Sequence, residues 1–189
     1  MTPILGITAS QITGHLWSPG KDYDSIATIT PYTTTSTVVF SSIPSTYRHL
    51  QIRFIARTTR ANQEDNIQLR FNSDSGGNYA AHVLYGDGAT AGSFSDGSSI
   101  TFNTRSVVAA ASSTSGVFGV GVIDILDYAN TSKNKTVRSL NGYDNNGAGQ
   151  VRLSSGLWMN TTAINTITIV PANGPNFAAG CHWALYGIK

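Results

Sequence analysis

Four histidines, one cysteine and ten carboxylates are the residues of this 189-residue chain with most chemistry to offer. His15, His49, His82 and His182 stand far apart, and none has a second ligand at metal-binding spacing. Each reads as a packed or surface side chain. Asp124 and Asp127 are the nearest approach to a carboxylate pair. A glycosidase needs two acids facing one cleft, whereas residues three apart on a strand face opposite sides. Both read as strand-end and turn residues. Asp144, Asn145 and Asn146 supply the oxygens that calcium prefers, but the EF-hand spacing is absent, and a hairpin turn accounts for DNNGAG. There is no G-x-S-x-G elbow, Walker loop, H-E-x-x-H or cysteine pair. The expectation is a chain that is not an enzyme, with no catalytic residue, metal or cofactor.

Two weaker chemistries remain. Cys181, beside His182 and Trp183, has no partner for an internal disulfide and reads as a small buried hydrophobe. Trp158, Trp183, Tyr143, Tyr186 and Tyr85 offer faces on which a pyranose can stack, although most aromatics of a β-sandwich belong to its core.

The elements that position these residues are strands. Charged side chains make up 12% of the chain, about half the usual share, and Glu64 is the only glutamate. Helix surfaces depend on Glu, Lys and Arg, so the deficit argues against helix. The most telling stretch is His49 to Asn72. Leu50, Ile52, Phe54 and Ala56 alternate with Gln51, Arg53 and Arg57, and Ile67, Leu69 and Phe71 alternate with Gln68, Arg70 and Asn72. A short polar link makes an antiparallel hairpin the simplest pairing, with Arg53 and Arg70 on the wet face. One sheet cannot hide such an apolar face alone, so a second sheet is expected over it.

Some ten strands follow from the whole chain. Val117 to Leu126 is nearly continuous apolar, so it is expected to be buried on both faces or to lie against another chain. Gly119 and Gly121 within it suggest close backbone approach. Gly86 to Ser98 reads as a long loop and Ile100 to Phe102 as a brief strand. Ile164 to Val170 reads as an alternating strand. The fold class expected is all-β, a jelly-roll-like antiparallel sandwich spanning residues 21–189. Residues 1–20 precede it as an extended arm.

The arm carries Ile4, Leu5, Ile7, Leu16 and Trp17 without a helical or strand period. Two readings stand for it: a segment packed along its own domain, and an assembly arm laid on a neighbouring subunit. Asp87, Asp96, Asp144, Asn145 and Asn146 mark the loops expected to carry any binding contacts. A net charge of +2 with no Lys/Arg cluster excludes a phosphate track, so no nucleic acid is expected. No apolar run approaches a membrane span, and no secretory signal is visible. A protein working outside its host cell would then leave by lysis or in a particle.

Several stretches carry a family likeness: PILGITAS, YDSIATIT, FSSIPSTYRHLQIRFIAR, LYGDG, IDILDYANTSKNKTVRSLNG, SGLWMN and the closing ALYGIK. Together they span nearly the whole chain, which resembles a group of tailed-bacteriophage virion proteins. The resemblance implies a β-rich structural component of the particle, in the tail, a fibre or the capsid surface. Its partners would be other virion proteins and further copies of itself. A trimer is the favoured state, because three sandwiches can bury sheet edges against one another. The rival expectation is a module, displayed on the particle, that binds a host receptor or surface glycan.

Overall fold

A computed structural model describes residues 22–97 and 100–189. The arm residues Ile4, Leu5, Ile7, Leu16 and Trp17 lie outside the described residues, as does the boundary at residue 20. In chain order the strands are β1 (Tyr23–Ile29), β2 (Val38–Phe40), β3 (His49–Ala56), β4 (Glu64–Phe71), β5 (Tyr79–Gly86) and β6 (Ala91–Ser95). They continue as β7 (Asn103–Ala109), β8 (Gly119–Leu126), β9 (Lys135–Asp144), β10 (Gly149–Trp158), β11 (Ile167–Pro171) and β12 (His182–Ile188). No helix occurs among the described residues.

The strands form two antiparallel sheets, ordered β1-β12-β3-β8-β9-β10-β5-β6 and β2-β11-β4-β7. Set aside the hairpins β5–β6 and β9–β10, and eight strands remain. Their order is first-eighth-third-sixth in one sheet and second-seventh-fourth-fifth in the other. That interleaving is the double Greek key of a jelly roll. The two hairpins extend the larger sheet beyond the barrel-like core.

The expected hairpin between His49 and Asn72 does not form. β3 pairs with β12 and β8, while β4 pairs with β11 and β7 in the opposite sheet. The link between them crosses from sheet to sheet. The alternation had fixed which face of each run is buried, and Leu50, Ile52, Phe54, Ile67, Leu69 and Phe71 are all buried. Two apolar faces are hidden equally well side by side or stacked, so the pattern alone does not choose. Here they meet across the core.

That core is aromatic at two centres. Phe54 stacks on Trp183 at 5.1 Å, and Phe177 meets Trp183 edge-on at 5.1 Å. Phe71, Tyr79 and Trp158 make the second group, with Phe71 and Trp158 5.5 Å apart. Gly121 pairs with Phe54, and a Cβ there would stand 2.5 Å from the Phe54 ring, so the close approach expected of it is real. Cys181 is buried, as its sequence neighbours suggested.

Three further expectations change. Gly86 to Ser98 is not one loop, because β6 pairs with β5 through a turn at residues 87–90. Ile100 makes only an isolated bridge to Tyr79, and the strand begins at Asn103. Of Ile164 to Val170, only the part from Ile167 belongs to a strand, β11, although Ile164 is buried.

Candidate functional site

β9 and β10 place their side chains against the usual rule. In β9, Ser139 and Asn141 point inward and Leu140 outward; in β10, Arg152 and Ser154 are buried while Val151 and Leu153 face solvent. Ser139, Asn141 and Arg152 find partners on the small sheet, while the Ser154 hydroxyl is buried without one. Ser106 and Ser139 share a hydroxyl hydrogen bond of 2.9 Å, and Val107 N–H donates to Asn141 Oδ1 at 2.7 Å. The Arg152 guanidinium donates to Asn66 Oδ1 at 2.6 Å and lies 3.7 Å from Glu64. Burial pushes the Arg152 pKa down, against the attraction of Glu64. These contacts lock the register, since a one-residue slip would flip every side chain.

The apolar residues left outside align across five strands. One row runs Ile55, Val120, Gly142, Val151 and Gly86 through β3, β8, β9, β10 and β5. The next runs Val122, Leu140, Leu153 and Leu84. Ile55, Leu84, Val120, Leu140, Val151 and Leu153 are 46 to 59% exposed. The rows floor an open groove of about 900 Å³; Gly86 leaves one step of it without a side chain, while Gly142 lets the Gln150 carbonyl of β10 approach closely. A contiguous exposed apolar patch of a few hundred Å² is a common mark of a contact surface.

Two turns wall one end of the groove: residues 87–90 between β5 and β6, and residues 145–148 between β9 and β10. The structure therefore brings Asp87 and Asp144 together at one rim. Asp87 accepts backbone hydrogen bonds from Thr90 at 2.6 Å and Ala89 at 3.0 Å, which hold its carboxyl below the ordinary value. Asp144 accepts from Gly147 N–H at 3.3 Å. Asn145 is a structural tie, accepting from Thr114 N–H at 2.8 Å, and Asn146 occupies the left-handed region at φ 58°. Asp96 stands elsewhere, paired with Arg105.

A polar network borders the groove on its other side. Arg53 donates to Gln51 Oε1 at 2.8 Å, Gln51 donates to Asp124 at 2.9 Å, and Arg138 donates to Asp124 at 3.1 Å. The Arg53 guanidinium also lies over the rings of Tyr186 and Tyr23, at 5.3 and 5.8 Å. Asp127 is held apart in a turn, 2.9 Å from Lys133 Nζ. Hence Asp124 and Asp127 do not share a cleft. His49 accepts from Asp127 N–H at 3.0 Å and His182 bonds Thr30 at 3.0 Å. Among the described residues, no group of three or more His, Cys, Asp or Glu stands together as a metal site.

The aromatic platform does not assemble. Trp158 and Trp183 are fully buried in the two core clusters. Trp158 Nε1 donates to Asp74 at 2.8 Å. Tyr143, whose hydroxyl donates to Glu64 at 3.3 Å, and Tyr186 line the groove, while Tyr85 packs against Phe94 at 6.2 Å. In β8, Ile123 and Ile125 are buried but Val120 and Leu126 are exposed, so of the two alternatives for this run burial on both faces within the chain does not occur.

No family model and no curated protein matches the chain. Among solved structures it is similar to the galectin LEC-6 of Caenorhabditis elegans, with a TM-score of 0.30 and 9% identity. That likeness covers 92% of this chain and 99% of the galectin.

Proposed function

We propose that this chain is a non-enzymatic structural subunit of a tailed-phage particle, working as a homo-oligomer attached to the capsid or tail. The observation that carries the self-association is the inverted polarity of β9 and β10, which turns Leu140, Val151 and Leu153 to the surface. Arg152 fixes the register inside one sandwich, yet the leucines on the other face stay exposed. An assembled one covers the leucines. The virion setting comes from the resemblance of the chain's motifs, and the weakly charged surface fits a protein that lives against neighbours. A trimer is the favoured state. Mass spectrometry of purified particles checks the setting: the chain should co-purify in fixed copy number, and its absence from particles would sink this reading.

The rival reading is a receptor- or glycan-binding module displayed on the particle. It is favoured by the convergence of the Asp87 and Asp144 turns on one groove end, where carboxylates can accept sugar hydroxyls. A glycan array separates the two. Saturable binding that is lost in Asp87→Ala and Asp144→Ala would establish the rival.

A further inference from the structure

We propose that the outer groove of one copy seats the N-terminal segment, Met1–Lys21, of a neighbouring copy, an inference that rests on the self-association reading above. The groove and the segment have matching chemistry. The groove floor is apolar, and the segment supplies Ile4, Leu5, Ile7, Ile12, Leu16 and Trp17. The segment contains no carboxylate, whereas Asp87 and Asp144 stand at the groove's end, so seating it opposes no negative charges.

Shape favours a single chain over a second sheet. Gly86 leaves a hollow in the floor beside Val151, where a Cβ would meet nothing nearer than 4.0 Å, and the two turns raise one wall. A flat sheet face would bridge that hollow, while an extended segment can lower side chains into it. The groove is open along its length, so the segment's backbone N–H and C=O groups keep their water.

Reach and direction complete the argument. From β1 to β5 the larger sheet has six strand spacings, roughly 29 Å at about 4.8 Å each. Twenty-one extended residues span up to roughly 70 Å at about 3.3 Å each. Tyr23 pairs with Ile188, at the end of the sheet opposite the Asp87 and Asp144 turns. A copy's own segment would have to reverse on leaving β1 and recross β12 and β3. A neighbour's segment can enter the groove from another direction.

Tryptophan quenching in the full-length chain tests this. Of the three tryptophans, Trp158 and Trp183 are fully buried, so acrylamide reports on Trp17. In the assembled protein Trp17 should be shielded. A quenchable component should appear in Leu140→Arg, and also on dilution to single chains, with light scattering read on the same samples. Should Leu140→Arg lower the melting temperature, Val120→Arg on the groove floor, 54% exposed, carries the same test. Three results overturn the inference: Trp17 quenchable in assembled protein, shielded in both folded variants, or still shielded after dilution. A chain that is single at every concentration would instead overturn the self-association reading itself.

Discussion

Phe54 and Arg53 are neighbours on β3 with opposite fates, and they show what single side chains contribute here. Phe54 is buried against Trp183, so Phe54→Ala removes a ring and leaves a cavity. Denaturant unfolding should register a loss of about 3–5 kcal/mol. Arg53 lies on the exposed face, and Arg53→Ala in the dissociated chain should cost about 1 kcal/mol or less. A loss matching that of Phe54 would mean the outer face is already buried in a contact. Asp74 supplies a pH test. Burial works against its charge, yet hydrogen bonds from Trp158, Gly76 and Asn78 together hold its pKa below 3.8. Its ionised form therefore stabilises the fold fully above pH 3.8, and that contribution fades as pH falls through the lower folded value. Asp74→Asn should cost about 1–3 kcal/mol at neutral pH. The gap in melting temperature between the two proteins should close in acid; a constant gap would show that the carboxylate charge is not what holds Trp158. The six apolar residues of β3 and β4 were legible because alternation sorts each run into an apolar and a polar face, and in these two strands the apolar face is the buried one. Lys135 was not: nothing in its neighbours shows that it is buried, donating to the carbonyls of Asn130, Lys133 and Thr161.

Strands carry the next lesson. Period-two patterning marks where β3, β4, β9, β10 and β12 run, because each has one covered face. It does not name their partners, and so the link after β3 reads as a hairpin when it is a crossing between sheets. β6 escaped notice because AGSFS has a single large apolar residue, and its pairing depends on the turn at Asp87. The groove escaped for a different reason. Its residues come from six strands, and β10 reverses the rule that apolar side chains face inward. The signal was present in Val151-Arg152-Leu153-Ser154, but alternation gives two faces without saying which is inside. Only the partners of Arg152 and Asn141 on the small sheet decide that. Gly121 offers a prediction at this scale. In Gly121→Ala the new methyl would press on the Phe54 ring and on Asn141, and it should destabilise by about 1–3 kcal/mol in thermal or denaturant unfolding. An unchanged midpoint would mean that β3 and β8 separate more easily than their register implies.

At the scale of the molecule, a jelly roll extended by two hairpins gives a large sheet whose outer face is greasy where its inner face is polar. The sandwich itself was legible in the sequence, through the charge deficit and the repeated short strands. The self-association proposed for it would be a property of surfaces, which a single chain's pattern records only indirectly. If the outer face is the contact, replacing Leu153 by Glu should lower the oligomeric mass while leaving the melting of the sandwich nearly unchanged, because this side chain touches solvent rather than core. The most direct measurement is light scattering of the intact protein at micromolar concentration. The account predicts an oligomer, favouring a mass three times that of the 20.0 kDa chain, that falls apart in Leu153→Glu. A single-chain mass for the unmodified protein would contradict it.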